Sequence, residues 1–320
     1  MILNFESCYK RDISGRLLGD YVVQSINFKH LFGEIMNNQT IGIDLGGTHL
    51  RGGLVTENNL PSIVTQRING RGPVEEVLQE LFALTDRLMN RSVKAIGIGV
   101  PGLVDTNEGI VYDVVNIPSW KEVPLRQFME HRYHLPVFIN NDANCFALGE
   151  FYFGKGKDYD SMMGLTIGTG LGSGIIINKK LYTGRNGGAG EFGMIDYLDK
   201  YYEYYACGQF FQNVYKTDGE TVLKKAEEGD KDAIKMYEEM GEHLGNAVKT
   251  ILYALDVEII ILGGSVRKAF PYFSRSLWQC MQSFAFQNAI KNLRIEVSDL
   301  ENSGILGAAA LYYDQQNGNP

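Results

Sequence analysis

The most regular stretch of the chain is Ile41-Gly-Ile-Asp-Leu-Gly-Gly-Thr-His-Leu-Arg-Gly-Gly-Leu-Val55. Ile41 and Ile43 alternate with Gly42 and Asp44, and the apolar run resumes at Leu54 and Val55. That pattern predicts a buried strand, a glycine turn and a returning strand. An Asn58-Asn59 turn and a third strand at residues 63–68 follow. Pro73 then opens a helix over 74–89. Val77, Leu78, Leu81, Leu84 and Leu88 share one of its faces, and Glu75 and Glu76 suit its first turn. Apolar runs at 93–100, 110–114 and 136–140 read as strands, and residues 125–133 and 143–153 as helices.

The opening theme then returns. Residues 162–167 read as a strand, Gly168-Thr-Gly170 as a turn and 174–177 as the returning strand. Residues 183–215 are expected to be irregular and to pass into helix, and 230–255 to form a long helix. A strand at 257–262 closes on Gly263-Gly264-Ser265 and leads into another helix. A last strand at 294–297 and an alanine-rich helix at 304–313 complete the series. Two such hairpins, each followed by alternating strands and helices, predict an α/β fold of two related lobes facing a common anion. The expected division is an extension at 1–39, an N-terminal lobe of 40–155 plus 304–318, and a C-terminal lobe of 156–303. Gly154-Lys-Gly-Lys157 is the link. In the extension, 17–26 fit a strand and 28–36 a short helix, and Met36 offers an alternative start.

The length of 320 residues suits about two domains. A net charge of −8 and a pI near 5.3 argue against a nucleic-acid footprint. In the extension, Lys10, Arg11, Arg16 and Lys29 are balanced by Glu6, Asp12, Asp20 and Glu34. Cys8, Cys145, Cys207 and Cys280 have no paired spacing, so free thiols are expected. No apolar run approaches the ~20 residues of a bilayer span, and no secretory pattern opens the chain. The expected location is cytoplasmic.

Asp44 is the first chemical signal, because a carboxylate at the end of an apolar strand needs a partner or a cation. Gly46-Gly47-Thr48 follows at once, and glycines let backbone amides approach an anion. Magnesium plus phosphate fits the stretch, and so does a plain glycine-rich hairpin. Neither the P-loop nor the dinucleotide fingerprint fits a strand-turn-strand pattern.

Glycine turns at 46–47, 168–172 and 263–264, each after an apolar strand, with Asn141-Asp142 between the first two, resemble the ROK family of sugar kinases and repressors. The resemblance spans residues 40–316 and implies two ribonuclease-H-like lobes of the actin-like ATPase type, with an active-site cleft between them. Asp44-Leu-Gly-Gly-Thr48 resembles the first phosphate motif, Thr166-Ile-Gly-Thr-Gly-Leu-Gly-Ser-Gly174 the second, and Gly263-Gly264 the nucleoside turn. Pro101-Gly102-Leu-Val-Asp105, Asn116-Ile-Pro-Ser-Trp120, Asn140-Asn-Asp-Ala-Asn144 and Gly188-Ala-Gly-Glu-Phe-Gly193 resemble the sugar-side motifs.

The resemblance then implies roles. Asp142 is the base that takes the proton of the attacking hydroxyl. Gly102, Asn116, Asn141 and Glu191 hold the sugar. Gly46, Gly47, Thr48, Gly168, Thr169 and Gly170 hold phosphates, Gly263 and Gly264 the nucleoside, and Asp44 positions magnesium, directly or through water. ATP and Mg2+ are the implied cofactors, a sugar the partner, and a homodimer the assembly, with no nucleic acid and no membrane. The implied function is phosphorylation of a hexose hydroxyl. The alternatives are a sugar-responsive regulator and a catalytically silent sugar-binding protein.

The chain departs from the family's zinc motif. Met194 stands at the histidine position, and the cysteine cluster is reduced to Tyr205-Ala-Cys-Gly-Gln-Phe-Phe-Gln212, leaving Cys207 alone. One thiolate cannot make zinc's four-ligand shell, and the other histidines sit in other elements, so no zinc is expected. Val214 falls near the place of the family's later sugar-binding glutamate. Tyr197, Tyr201, Tyr202, Tyr204 and Tyr205 enrich this stretch, for packing or for stacking on sugar. Trp120 is open to the same two readings, core or sugar face. His131 and His134 are expected on the surface.

Overall fold

The structure, a computed structural model, describes residues 39–316 apart from Glu57, Asn58 and Val115. The elements expected within 17–36 lie outside the described residues, as does Asn58 of the expected turn.

The opening hairpin forms as its alternation requires. β1 (Gln39–Leu45) and β2 (His49–Thr56) pair antiparallel, and the Gly46 amide donates to the His49 carbonyl at 3.0 Å to close the turn. β3 (Asn59–Arg67) joins β2 and begins four residues earlier than the apolar run suggests. α1 (Val74–Leu88) buries its Val77, Leu81 and Leu84 face, each such side chain contributing about 1.5–3 kcal/mol. β4 (Val93–Val100) runs parallel to β1. A small antiparallel sheet of β5 (Leu103–Asp105), β6 (Ile110–Tyr112) and β7 (Glu122–Val123) follows, and then α2 (Leu125–Tyr133) and β8 (Val137–Asn141). The strand expected at 110–114 stops at Tyr112, because Asp113 takes a left-handed φ of 42°. The first sheet has the order β3-β2-β1-β4-β8.

α3 (Asp142–Phe153) leaves β8 directly, and the second lobe repeats the plan. β9 (Met162–Ile167) and β10 (Leu171–Ile177) form the hairpin, and β11 (Lys180–Tyr182) lies at the edge. Residues 183–215, expected to be irregular, contain the small hairpin β12 (Asp196–Tyr197) and β13 (Lys200–Tyr201), then α4 (Tyr202–Tyr205) and α5 (Gln209–Tyr215). α6 (Gly219–Glu227) and the long α7 (Lys231–Leu255) precede β14 (Ile259–Gly263). Asp230 caps α7, accepting from the amides of Asp232 and Ala233. α8 (Phe270–Met281), α9 (Gln287–Asn292), β15 (Arg294–Val297) and α10 (Ser303–Gln316) complete the chain. The second sheet has the order β11-β10-β9-β14-β15, so each sheet is a hairpin flanked by two parallel strands.

α3 and α10 join the halves. Residues 143–152 of α3 are buried on every face, as suits a helix enclosed all round. It packs against α10, which lies on β1 and β4, and against β9 and β10 of the second sheet. Contact with α10 is so close that a Cβ on Gly307 would stand 1.5 Å from the Cys145 carbonyl oxygen. The start of α3 is thereby set at the junction of the two lobes. Trp120 is fully buried in the first core, and His131 and His134 are exposed. Among the described residues, no helix is long and apolar enough to cross a membrane, and Cys145, Cys207 and Cys280 are free.

Candidate active site

The site begins where β8 becomes α3. Asn141 is the N-cap: its Oδ1 accepts from the Ala143 amide at 2.9 Å, while its Nδ2 donates to the Gly102 carbonyl at 3.2 Å. Beneath it, Asn144 Nδ2 donates to Asn140 Oδ1 at 2.9 Å. These bonds fix the backbone that presents Asp142, the first residue of the helix. Asp142 is exposed on the open side yet dehydrated by the protein packed around its carboxyl. That dehydration, then the charge of Asp44, and last that of Glu191 push its pKa up to about 6. The structure therefore brings three of the sequence-derived residues, Asp142, Asp44 and Glu191, within electrostatic reach of one another.

Asp44 is the next-to-last residue of β1, half-buried. Dehydration raises its pKa, and Arg51, its cross-strand partner on β2, opposes the rise. The Gly46-Gly47-Thr48 turn beyond it packs against the Asn116 loop, where a Cβ on Gly47 would lie 2.2 Å from Asn116 Cβ. Glycine is required there by this close approach. A recess of about 690 Å³ opens beside the turn, lined by Gly47, Thr48, Asn69, Gly70, Arg71 and Asn116. Asn116 thus meets the first turn, whereas Gly102, Asn141, Asp142 and Glu191 do not line this recess.

The second turn is held from behind. Gly168 accepts from the Gly208 amide at 2.8 Å, and the Cys207 thiol donates to the Thr169 carbonyl at 2.9 Å. The Leu171 amide donates to Glu203 Oε2 at 2.8 Å. Burial pushes the Cys207 thiol up to about 12, so it is a neutral donor. Gly264 lies against the Ile167 backbone, which places the third turn beside the second. Glu191, exposed, has its carboxyl raised by dehydration and by Glu203.

The tyrosines pack on one another and on α7. Tyr197 stacks on Tyr202 with ring centroids 4.4 Å apart. The Tyr197 hydroxyl lies 3.1 Å from His243 Nδ1 and accepts from Asn246 Nδ2 at 3.0 Å. His243 is ringed by Tyr197, Tyr205 and Phe210, and burial lowers its pKa. Among the described residues, no three His, Cys, Asp or Glu side chains group to hold a metal. Val214 is exposed.

A second recess of about 390 Å³ lies on the far side of Asp44 and is lined by Arg51, Arg267, Asn302, Ser303 and Gly304 as well. Sequence reasoning passed over both arginines. The hairpin register did contain a signal for Arg51, since a turn centred on 46–49 sets it opposite Asp44. Arg267 had none.

A dehydrated, exposed carboxylate with a pKa near neutrality, within electrostatic reach of Asp44 and Glu191, is equipped to take a proton from a hydroxyl. Comparison with known proteins gives the family and the fold. The crystal structure of a ROK family glucokinase from Streptomyces griseus, in complex with glucose and AMPPNP, superposes with a TM-score of 0.72 at 28% identity, over 86% of this chain and 99% of that one. The glucokinase of Thermotoga maritima is 28% identical over 314 residues, covering 87% of this chain and 98% of the relative. The xylose repressor of Caldicellulosiruptor bescii is also 28% identical over 314 residues, covering 85% and 77%. The fold is that of the actin-like ATPases. Residues 40–315 match the ROK family along their whole length, and the chain belongs to it.

Proposed function

We propose that the protein is an ATP-dependent sugar kinase that phosphorylates a hexose hydroxyl, the 6-hydroxyl of glucose, mannose or an N-acetylhexosamine. The observation that carries this reading is Asp142: capped in place by Asn141, exposed on one side, and raised to about 6 by its surroundings. A base in that range is charged at neutral pH and close enough to the working pH to accept the proton as the oxygen bonds to phosphorus. Asn141, tied to Gly102, and Asn116, beside Gly47, supply the polar groups that orient a sugar. Such groups discriminate sharply, since a missing hydroxyl leaves one of them unpaired.

Asp44 fits a magnesium site. Its half-buried carboxylate accepts no hydrogen bond from a described residue and faces a polar recess, which is the donor chemistry a hard cation takes. Asp44 would hold the ion there, and the chemistry supplied would be neutralisation of charge on the phosphates. The amides of the first and second turns would hold the phosphates.

A coupled ADP-release assay across aldoses, ketoses and amino sugars tests the reading. Turnover with one or more hexoses is expected. Sugar binding without ADP release from any of them would favour the regulator reading, which the relationship to a repressor keeps in view.

A further inference from the structure

The recess beyond Asp44 is built from both lobes. Arg51 comes from the first sheet, Ser303 opens the helix that covers it with Asn302 just before, and Arg267 comes from the short turn after β14. Both arginines are held by the protein and keep donors to spare. Arg51 Nη2 donates to Asn302 Oδ1, and Arg267 Nη1 donates to the Gly264 carbonyl at 2.9 Å. A guanidinium has five N–H donors, so most of each fork remains available. Asn302 adopts a left-handed φ of 57° immediately before α10, which directs the chain into that helix beside Arg51.

Two fixed guanidinium groups facing one cavity, whose wall also carries the half-buried carboxylate of Asp44 and the exposed one of Glu301, suit an anion with several oxygens and a bound cation. A neutral sugar does not need them, and the sugar-side residue Asn116 lines the other recess. The cavity also joins the right neighbours, with the proposed magnesium carboxylate on one side and the turn at Gly263-Gly264 leading to Arg267 on the other. We propose that Arg51 and Arg267 grip the phosphate chain of the donor from opposite lobes, so that affinity for the donor comes chiefly from its phosphates and its binding draws the lobes together. This rests on the kinase reading above. Arginine suits the task because its planar fork meets phosphate oxygens in pairs.

The test uses Arg51→Met and Arg267→Met, with Arg→Lys at each position as the conservative control and a thermal melt to check folding. Inorganic tripolyphosphate serves as a probe that carries the phosphates without the nucleoside. Each Met variant is expected to raise KM for ATP about tenfold to a hundredfold. Each should weaken competition by tripolyphosphate by a similar factor and leave KM for the sugar within about twofold. The Lys variants should recover part of the loss. Arg267→Met is the safer variant, since Arg267 bonds to a carbonyl three residues away. An unchanged KM for ATP in a folded Arg267→Met protein would overturn the proposal, as would failure of tripolyphosphate to compete in the wild type. If the wild type phosphorylates no sugar, the kinase reading fails. Calorimetric binding of tripolyphosphate to wild type and to Arg267→Met then still decides this one.

Discussion

The turns β1–β2 and β9–β10 occupy equivalent places in sheets of the same order, yet they are equipped differently. Counting back from each glycine turn, Asp44 in the first strand corresponds to Thr166 in the second. The Asp44 carboxylate accepts no hydrogen bond from a described residue, whereas the Thr166 hydroxyl is occupied by the Gly172 carbonyl at 3.2 Å. The supports differ as well. The first turn leans on loops of its own lobe at Asn69, Gly70 and Asn116. The second is held by Glu203, Cys207 and Gly208, more than thirty residues downstream. One backbone plan used twice has thus been given a charged half and a neutral half. On the proposed kinase reading, a phosphate chain between the turns carries several negative charges, and a second carboxylate facing it would repel what the first helps to bind through a cation.

Asp142→Asn should have the largest effect. Asparagine keeps the shape and cannot accept the proton, so kcat should fall by about 10²–10⁴-fold with KM for sugar nearly unchanged. Retention of a tenth of the wild-type kcat would move the base elsewhere. The pH profile gives the same answer by another route. With a pKa raised to about 6, Asp142 loses its base form as pH falls through that value, so wild-type kcat/KM should drop below about pH 6. The stability sign is opposite. A carboxyl raised by folding stabilises fully below its ordinary value near 3.8, and that contribution is lost as pH rises through about 6. Asp142→Asn should therefore melt at or above the wild type at pH 8.

Asp44 against Thr166 tests the comparison itself. Asp44→Asn should remove most turnover and, by deleting the second-largest cause of the Asp142 shift, move the acid limb of the residual activity to lower pH. Thr166→Val should leave activity within a few-fold and cost about 0.5–1.5 kcal/mol, because it loses one neutral hydrogen bond. Equal losses from both would mean that the second strand carries chemistry this comparison denies it.

The sequence made the two hairpins readable because strand alternation and glycine turns are local signals. It made α3 readable as a helix despite its lack of a polar face, as residues 143–153 are longer than an ordinary strand. β5 and β7 were lost because two or three residues carry no period. The supports of the second turn were lost for a different reason. The Cys207 bond to Thr169 spans 38 residues, and His243 reaches Tyr197 across 46, so neither leaves a mark in its own stretch. The resemblance carried the roles of Asp142 and Asp44, but it was silent on Arg51 and Arg267, which lie outside its motifs.

A smaller effect is expected at Tyr197. Its hydroxyl joins His243 and Asn246, so Tyr197→Phe leaves the ring stack intact and removes one polar node. The cost should be about 1 kcal/mol, read as a lower melting temperature with kcat unchanged. A fall in kcat without loss of stability would place this loop in contact with substrate.

The smallest expected effect is that of removing metal. Zinc requires deprotonated thiolates or neutral imidazoles in a closed shell. In this loop the Cys207 thiol is held in its protonated form by burial, and it spends its proton on the Thr169 carbonyl. The nearest imidazole in the aromatic cluster, His243, already has Nδ1 beside the Tyr197 hydroxyl, and Glu239 lies 3.9 Å from its Nε2. The rings of Tyr197, Tyr205 and Phe210 surround it instead of further ligands. Their buried aromatic area can order the loop that leads from Glu191 to the back of the second turn without a metal. Purified protein should accordingly hold no stoichiometric zinc after dialysis, and chelation should leave the melting temperature unchanged. Elemental analysis beside a melting curve checks both. About one zinc per chain, lost together with stability on chelation, would show that the loop reorganises to bind metal and that the tyrosines are not its replacement.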